Sequence, residues 1–143
     1  MEGIQRLVGK KVKKIYLNED YLKFETDDGN VVFTVDGDCC STSVFYDFYG
    51  VKELLKNGKV KEVKEVELTT DDRMDAKNYQ ESIQVYGYQI TTADDGQWGD
   101  RTSVFSFRNY SNGYYGGSLE DTEDREVLPE ITDDVVETQS TKL

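Results

Sequence analysis

Apolar residues alternate with charged and polar ones through most of this chain, and the alternation is punctuated by Gly, Asn and Asp. Ile4, Leu7 and Val8 have the i, i+3, i+4 spacing of a helix face, which predicts one or two turns before Gly9. Val12, Ile15 and Leu17 then stand among lysines over 10–17, and Leu22 and Phe24 alternate with Tyr21, Lys23 and Glu25. A period of two marks strands with one buried face. Asn18-Glu19-Asp20 is short enough for a hairpin link. Asp27-Asp28-Gly29-Asn30 supplies the Asp-Gly pair whose positive φ a tight turn demands. With a strand over 31–35, the first three strands read as an antiparallel meander.

The segment 43–49 is β-branched and aromatic, which favours extended structure. Simple alternation puts Val44, Tyr46 and Phe48 on one face and Phe45 and Tyr49 on the other. Val51, Leu54 and Leu55 return to helical spacing, and Asn57-Gly58 is read as a left-handed cap that closes this helix. A strand over 59–68 carries a phase slip between Val63 and Val66, read as a bulge or twist. Residues 69–80 are polar and irregular and read as a loop. Segments 82–92 and 101–110 pair as a hairpin across the turn at Asp94 to Asp100, and 114–119 adds a short strand after Asn112-Gly113. The pattern predicts an α+β domain: mainly an antiparallel twisted sheet or partly open barrel of about six or seven strands, with one or two short helices.

Composition divides the chain at Glu120. Residues 1–119 form the β-rich domain, long enough to bury a core without disulfides. Residues 120–143 carry nine acidic and two basic side chains, −7 of the total charge of −12. Such a segment reads as a disordered tail, but Val127, Leu128, Ile131, Val135 and Val136 also allow it to dock on its own domain or on a partner. The acidic balance opposes direct contact with nucleic acid or an anionic membrane, since each phosphate contact needs a cation. There is no run of 18 apolar residues to span a bilayer.

The chain has no histidine, which removes the usual neutral-pH base, Ser-His and Cys-His nucleophile pairs, and the commonest transition-metal ligand. Cys39 and Cys40 are adjacent, so they are read as free thiols in a reducing compartment and as structural, not reactive, because acidic neighbours raise a thiol pKa. The acidic turns at Asp27 and Asp94 lack EF-hand spacing and are read as hairpin turns. No metal or cofactor is expected. The group that stands out for binding is Arg108, Asn109, Tyr110, Asn112, Tyr114 and Tyr115, with Tyr46 and Tyr49 nearby if the two aromatic regions meet. Polar aromatic and amide side chains make contact surfaces at low entropic cost.

The early Gly-Lys-Lys-Val strand, the Asp38-Cys39-Cys40-Ser41 segment with its aromatic continuation, and the late Arg108–Leu119 segment with Ser111-Asn112-Gly113-Tyr114-Tyr115 together resemble a family of small uncharacterised bacteriophage and prophage proteins. The resemblance covers residues 7–119. It implies a viral product in the bacterial host cytoplasm and carries no catalytic role. The resulting expectation is a non-enzymatic accessory protein that binds and modulates a host or phage protein, in one version as an acidic mimic of nucleic acid. The alternative is a small-ligand binder, such as a nucleotide sponge, with tyrosines stacking on a base and Arg108 meeting a phosphate.

Overall fold

The alternating segments become strands whose apolar faces meet between two sheets. The computed structural model describes residues 3–37, 42–67, 82–93, 96, 99–111, 117–124 and 128–136. A 3-10 helix (Gly3–Leu7) precedes β1 (Val12–Leu17), β2 (Tyr21–Thr26), β3 (Gly29–Gly37) and β4 (Thr42–Tyr49). The helix α1 (Val51–Lys56) follows, then β5 (Val60–Glu67), β6 (Ser82–Thr92), β7 (Arg101–Ser111), β8 (Gly117–Asp121) and β9 (Glu130–Ile131). One sheet has the order β8-β3-β2-β1-β9 and the other β4-β7-β6-β5, all neighbours antiparallel. The meander β1-β2-β3 and the hairpin β6-β7 form as their patterns predict.

The protein is therefore mostly β, and it carries less helix than an α+β fold implies: α1 has six residues. The sheets do not close into a barrel. They are stitched at their edges, where Phe45 N–H donates to Glu19 C=O (2.8 Å), Gly9 N–H to Val60 C=O (2.8 Å) and Val60 N–H to Lys10 C=O (2.9 Å). The described residues form nine strands, more than six or seven, and the acidic segment itself contributes β9.

All six phenylalanines are buried between the sheets. Phe24 of the five-stranded sheet lies edge-on to Phe33 and Phe48 (centroids 6.2 and 6.1 Å) and 6.5 Å from Phe105 of the opposite sheet. Tyr86 and Tyr88 stack on Phe107 and Phe105 across the β6–β7 ladder, at 4.9 and 5.5 Å. Burying one such ring contributes about 1.5–3 kcal/mol.

Two features differ from simple alternation. In β4, Phe45 faces Phe107 and Asp47 faces Ser106, so Tyr46 is an extra residue in a bulge. The bulge turns both Phe45 and Phe48 into the core, and Tyr49 shares the outer face opposite Val104. In β5 the slip falls between Val60 and Glu62, and Val63 to Val66 pair regularly with Ile90 to Gly87.

Asn57 ends α1 differently from a left-handed cap: its backbone is extended (φ −79°, ψ −174°). Its buried amide donates to Thr92 C=O (3.3 Å), Thr92 Oγ1 (2.9 Å) and Gly99 C=O (3.1 Å), tying the helix end to the β6–β7 turn. Lys11 Nζ donates to the carbonyls of Leu55 and Asn57 at the same end, where a cation complements the helix dipole.

Glu120, where the composition turns acidic, lies within β8. From there the described chain stays on the domain. Thr122 N–H donates to Val32 C=O (3.0 Å), and Asp124 meets Lys23 (2.6 Å) and Asn30 (3.0 Å) on the outer side of β2 and β3. Leu17 N–H donates to Pro129 C=O (3.0 Å), β9 pairs with β1, and Val135 exchanges two backbone bonds of 2.9 Å with Phe48. The acidic segment thus pairs with both edges of one sheet and one edge of the other.

Candidate binding face

Successive side chains of β7 point to opposite sides of the four-stranded sheet. Phe105, Phe107 and Asn109 go inward; Val104, Ser106 and Arg108 go outward. The β4 bulge brings Tyr46 and Asp47 to that same outer face. There Arg108 Nη1 donates to Ser106 Oγ (2.8 Å), the Ser106 hydroxyl donates to Asp47 Oδ1, and Arg108 Nη2 lies 3.9 Å from Asp47 Oδ2. The guanidinium carbon sits 4.0 Å from the centroid of the Tyr46 ring. A planar guanidinium stacks on an aromatic face in a way that an ammonium does not.

This group is nearly closed to solvent: the Arg108 side chain is 6% exposed and that of Asp47 13%. The hydroxyl of Ser106 is buried, so it relays between carboxylate and guanidinium and presents no nucleophile at the surface. Arg108 meets its charge and hydrogen-bonding needs inside the fold, which is how a buried cation is tolerated.

The structure brings Tyr46 and Arg108 into contact, as the meeting of the two aromatic regions requires. Tyr49 lies further along the same face and is 43% exposed. Asn109 sits on the opposite face, fully buried, with its amide donating to Ser43 Oγ (2.8 Å). Tyr110 pairs through its backbone with Thr42 and Ile83. Asn112, Tyr114, Tyr115, Cys39 and Cys40 lie outside the described residues, as does the loop at 69–80.

Sequence reasoning did not single out Asp47, Ser106 or Asp134. The signal for the first was available: one carboxylate inside a run of aromatic strand residues needs a partner. Asp134 accepts from both Gly50 N–H (2.9 Å) and Val51 N–H (3.0 Å), the opening of α1. Elsewhere, burial and then the neighbouring Glu65 carboxylate, whose Oε1 accepts from the phenol at 3.2 Å, push the Tyr88 hydroxyl up to about 12. Among the described residues no group of His, Cys, Asp or Glu is arranged to hold a metal ion, and no helix is long and apolar enough to cross a membrane.

These features define a two-sheet antiparallel β protein with a polar, aromatic-covered outer face and an acidic segment laid along its edges. The chain belongs to the family described as Domain of unknown function (DUF7448), whose profile matches residues 5–120. It is 32% identical over 114 residues to "Uncharacterized protein L278" of Acanthamoeba polyphaga mimivirus, a match covering 77% of this chain and 85% of that protein. A relative of this chain is thus viral. No solved structure matches.

Proposed function

We propose that this chain is a non-enzymatic viral accessory protein, a phage or prophage product acting in the host cytoplasm, that binds a host or viral protein through its acidic surface. The observation that carries the reading is that the C-terminal segment is fixed on the domain with carboxylates exposed along it. The short aspartates hold the segment in place: Asp121 bonds Gly3 N–H (3.1 Å) and faces Arg6, Asp124 meets Lys23 and Asn30, and Asp134 caps α1. The longer Glu120, Glu123 and Glu130 are exposed on that fixed frame. A rigid array of carboxylates competes for a basic, nucleic-acid-binding partner without the cost of ordering a tail. The small-ligand alternative has less support, because Arg108 is already engaged by Ser106, Asp47 and Tyr46.

The test is capture of partner from host lysate by the tagged chain, with Glu120, Glu123 and Glu130 intact or changed together to Gln. The reading predicts that capture falls with the substitutions and with added salt, as expected for exposed charges. A complex indifferent to both would overturn the charge-based reading.

A further inference from the structure

Tyr49 and Val136 are the exposed large hydrophobic residues among those described, at 43% and 54%. They belong to different elements but to one place. Phe48 and Val135 exchange both backbone hydrogen bonds, and their side chains turn into the core, being 0% and 9% exposed. Their neighbours in each chain therefore turn outward. The bridge is a single pair, and it places Tyr49 and Val136, each the next residue in sequence, at the same edge of β4. Val104 lies opposite Tyr49 on β7 and extends the apolar surface inward. Asp133, 71% exposed and 3.6 Å from Lys52 Nζ, and the capping residue Asp134 rim it on one side.

We propose that this outward side of the Phe48–Val135 pairing is the anchor point for a cationic polypeptide segment that inserts an apolar side chain between Tyr49 and Val136. The proposal rests on the partner-binding reading above and names the chemistry of the partner. Charge selects the occupant. A second copy of this chain would bring another −12 against the same acidic surface, whereas lysines or arginines flanking an apolar residue would share the exposed Asp133 carboxylate with Lys52. Paired anchors of this type, an aromatic and an aliphatic side chain with a charged rim, have the make-up of binding hot spots.

The test uses the full chain and two labelled synthetic peptides of equal length, one alternating lysine with leucine and one alternating lysine with serine, followed by fluorescence anisotropy. The leucine peptide is expected to bind about tenfold tighter, a difference that burial of one apolar side chain readily supplies. Tyr49→Ser and Val136→Ser should each remove most of that preference while leaving the melting temperature and the serine-peptide affinity unchanged. Equal binding of the two peptides, no binding of either, or a leucine preference that survives both substitutions would overturn the anchor. So would sedimentation showing self-association that Tyr49→Ser abolishes, which would make the occupant a second copy. The lysate capture with the Glu120, Glu123 and Glu130 variant reads the partner-binding proposal separately, so the anchor can fail while that reading stands.

Discussion

Asp134 caps a helix to which it does not belong: its Oδ1 accepts from the backbone N–H of Gly50 at 2.9 Å and of the next residue, Val51, at 3.0 Å. Gly50 occupies the N-cap position with φ 80° and has no side chain to do this itself. A side chain could not be added there. A Cβ on Gly50 would lie 2.8 Å from Ser103 Oγ and 2.9 Å from Thr102 C=O, in a backbone conformation that favours glycine.

Asp134→Ala should therefore destabilise the protein by about 1–2 kcal/mol, the usual cost of losing an N-cap acceptor. Asp134→Asn should recover part of the loss, because an amide oxygen still accepts. Gly50→Ala should cost at least as much as the cap. Urea titrations of the three variants check the order; a neutral Asp134→Ala would show the cap to be idle.

Cutting the chain before Leu128 removes β9, the Pro129–Leu17 bond, the cap and the Val135–Phe48 pairing together. It leaves buried Phe48 without its outer neighbour. Such a truncation should lower the denaturation midpoint by more than Asp134→Ala alone. A pull-down that loses its partner on this deletion would report misfolding as readily as a lost contact, whereas Glu→Gln changes at exposed positions report charge.

Arg108 and Asp47 are joined through Ser106, so removing one charge strands the other in a nearly closed site. Arg108→Met and Asp47→Asn should each cost about 3–5 kcal/mol. Arg108→Lys keeps the charge but loses the stack on Tyr46 and the forked donors, and it should not restore the wild-type melting temperature. The paired change Arg108→Met with Asp47→Leu should cost less than the sum of its parts, and a double-mutant cycle measures the coupling.

Much of this fold was legible because alternation, Asp-Gly turns and Phe-rich strands act locally. The meander, the β6–β7 hairpin and α1 needed nothing else. What sequence could not supply came from long-range pairing. The bulge at Tyr46 depends on β7 offering Phe107 and Phe105 as partners for Phe45 and Phe48, and it reassigns which aromatic residues are buried. Asn57 looked like a left-handed cap because Asn-Gly has that local preference, yet Thr92 and Gly99, more than thirty residues away, claim its amide. The role of Asp134 is invisible in a run of acids until Gly50 is beside it. Of the candidate site, the meeting of Tyr46 with Arg108 could be anticipated from two aromatic segments in one sheet. The inward turn of Asn109 could not, since the register of β7 decides it.

Asn57→Ala removes three donated bonds and leaves the buried Thr92 acceptors facing a gap. An unsatisfied buried group costs about 1–3 kcal/mol. Asn57→Gly, which would improve a left-handed cap, should be no better than alanine because the amide and not the backbone does the binding. Thermal melts of the two variants separate these roles.

Tyr88 makes the stability of the protein alkali-sensitive in a defined window. Its phenol is neutral when protonated, and burial first, then the Glu65 charge and hydrogen bond, raise its pKa from 10.0 to about 12. A group whose folded pKa lies above its unfolded one contributes stability that is complete below pH 10 and disappears as pH rises through about 12. Tyrosinate absorbance should therefore show a late component near pH 12, and Tyr88→Phe should diminish it. Glu65→Gln should bring the step down without returning it to 10.0, since burial, the largest cause, remains. Denaturant titrations across the same pH window should show the wild type losing an increment of stability that Tyr88→Phe keeps. If the two proteins lose stability in parallel, the alkaline response resides elsewhere.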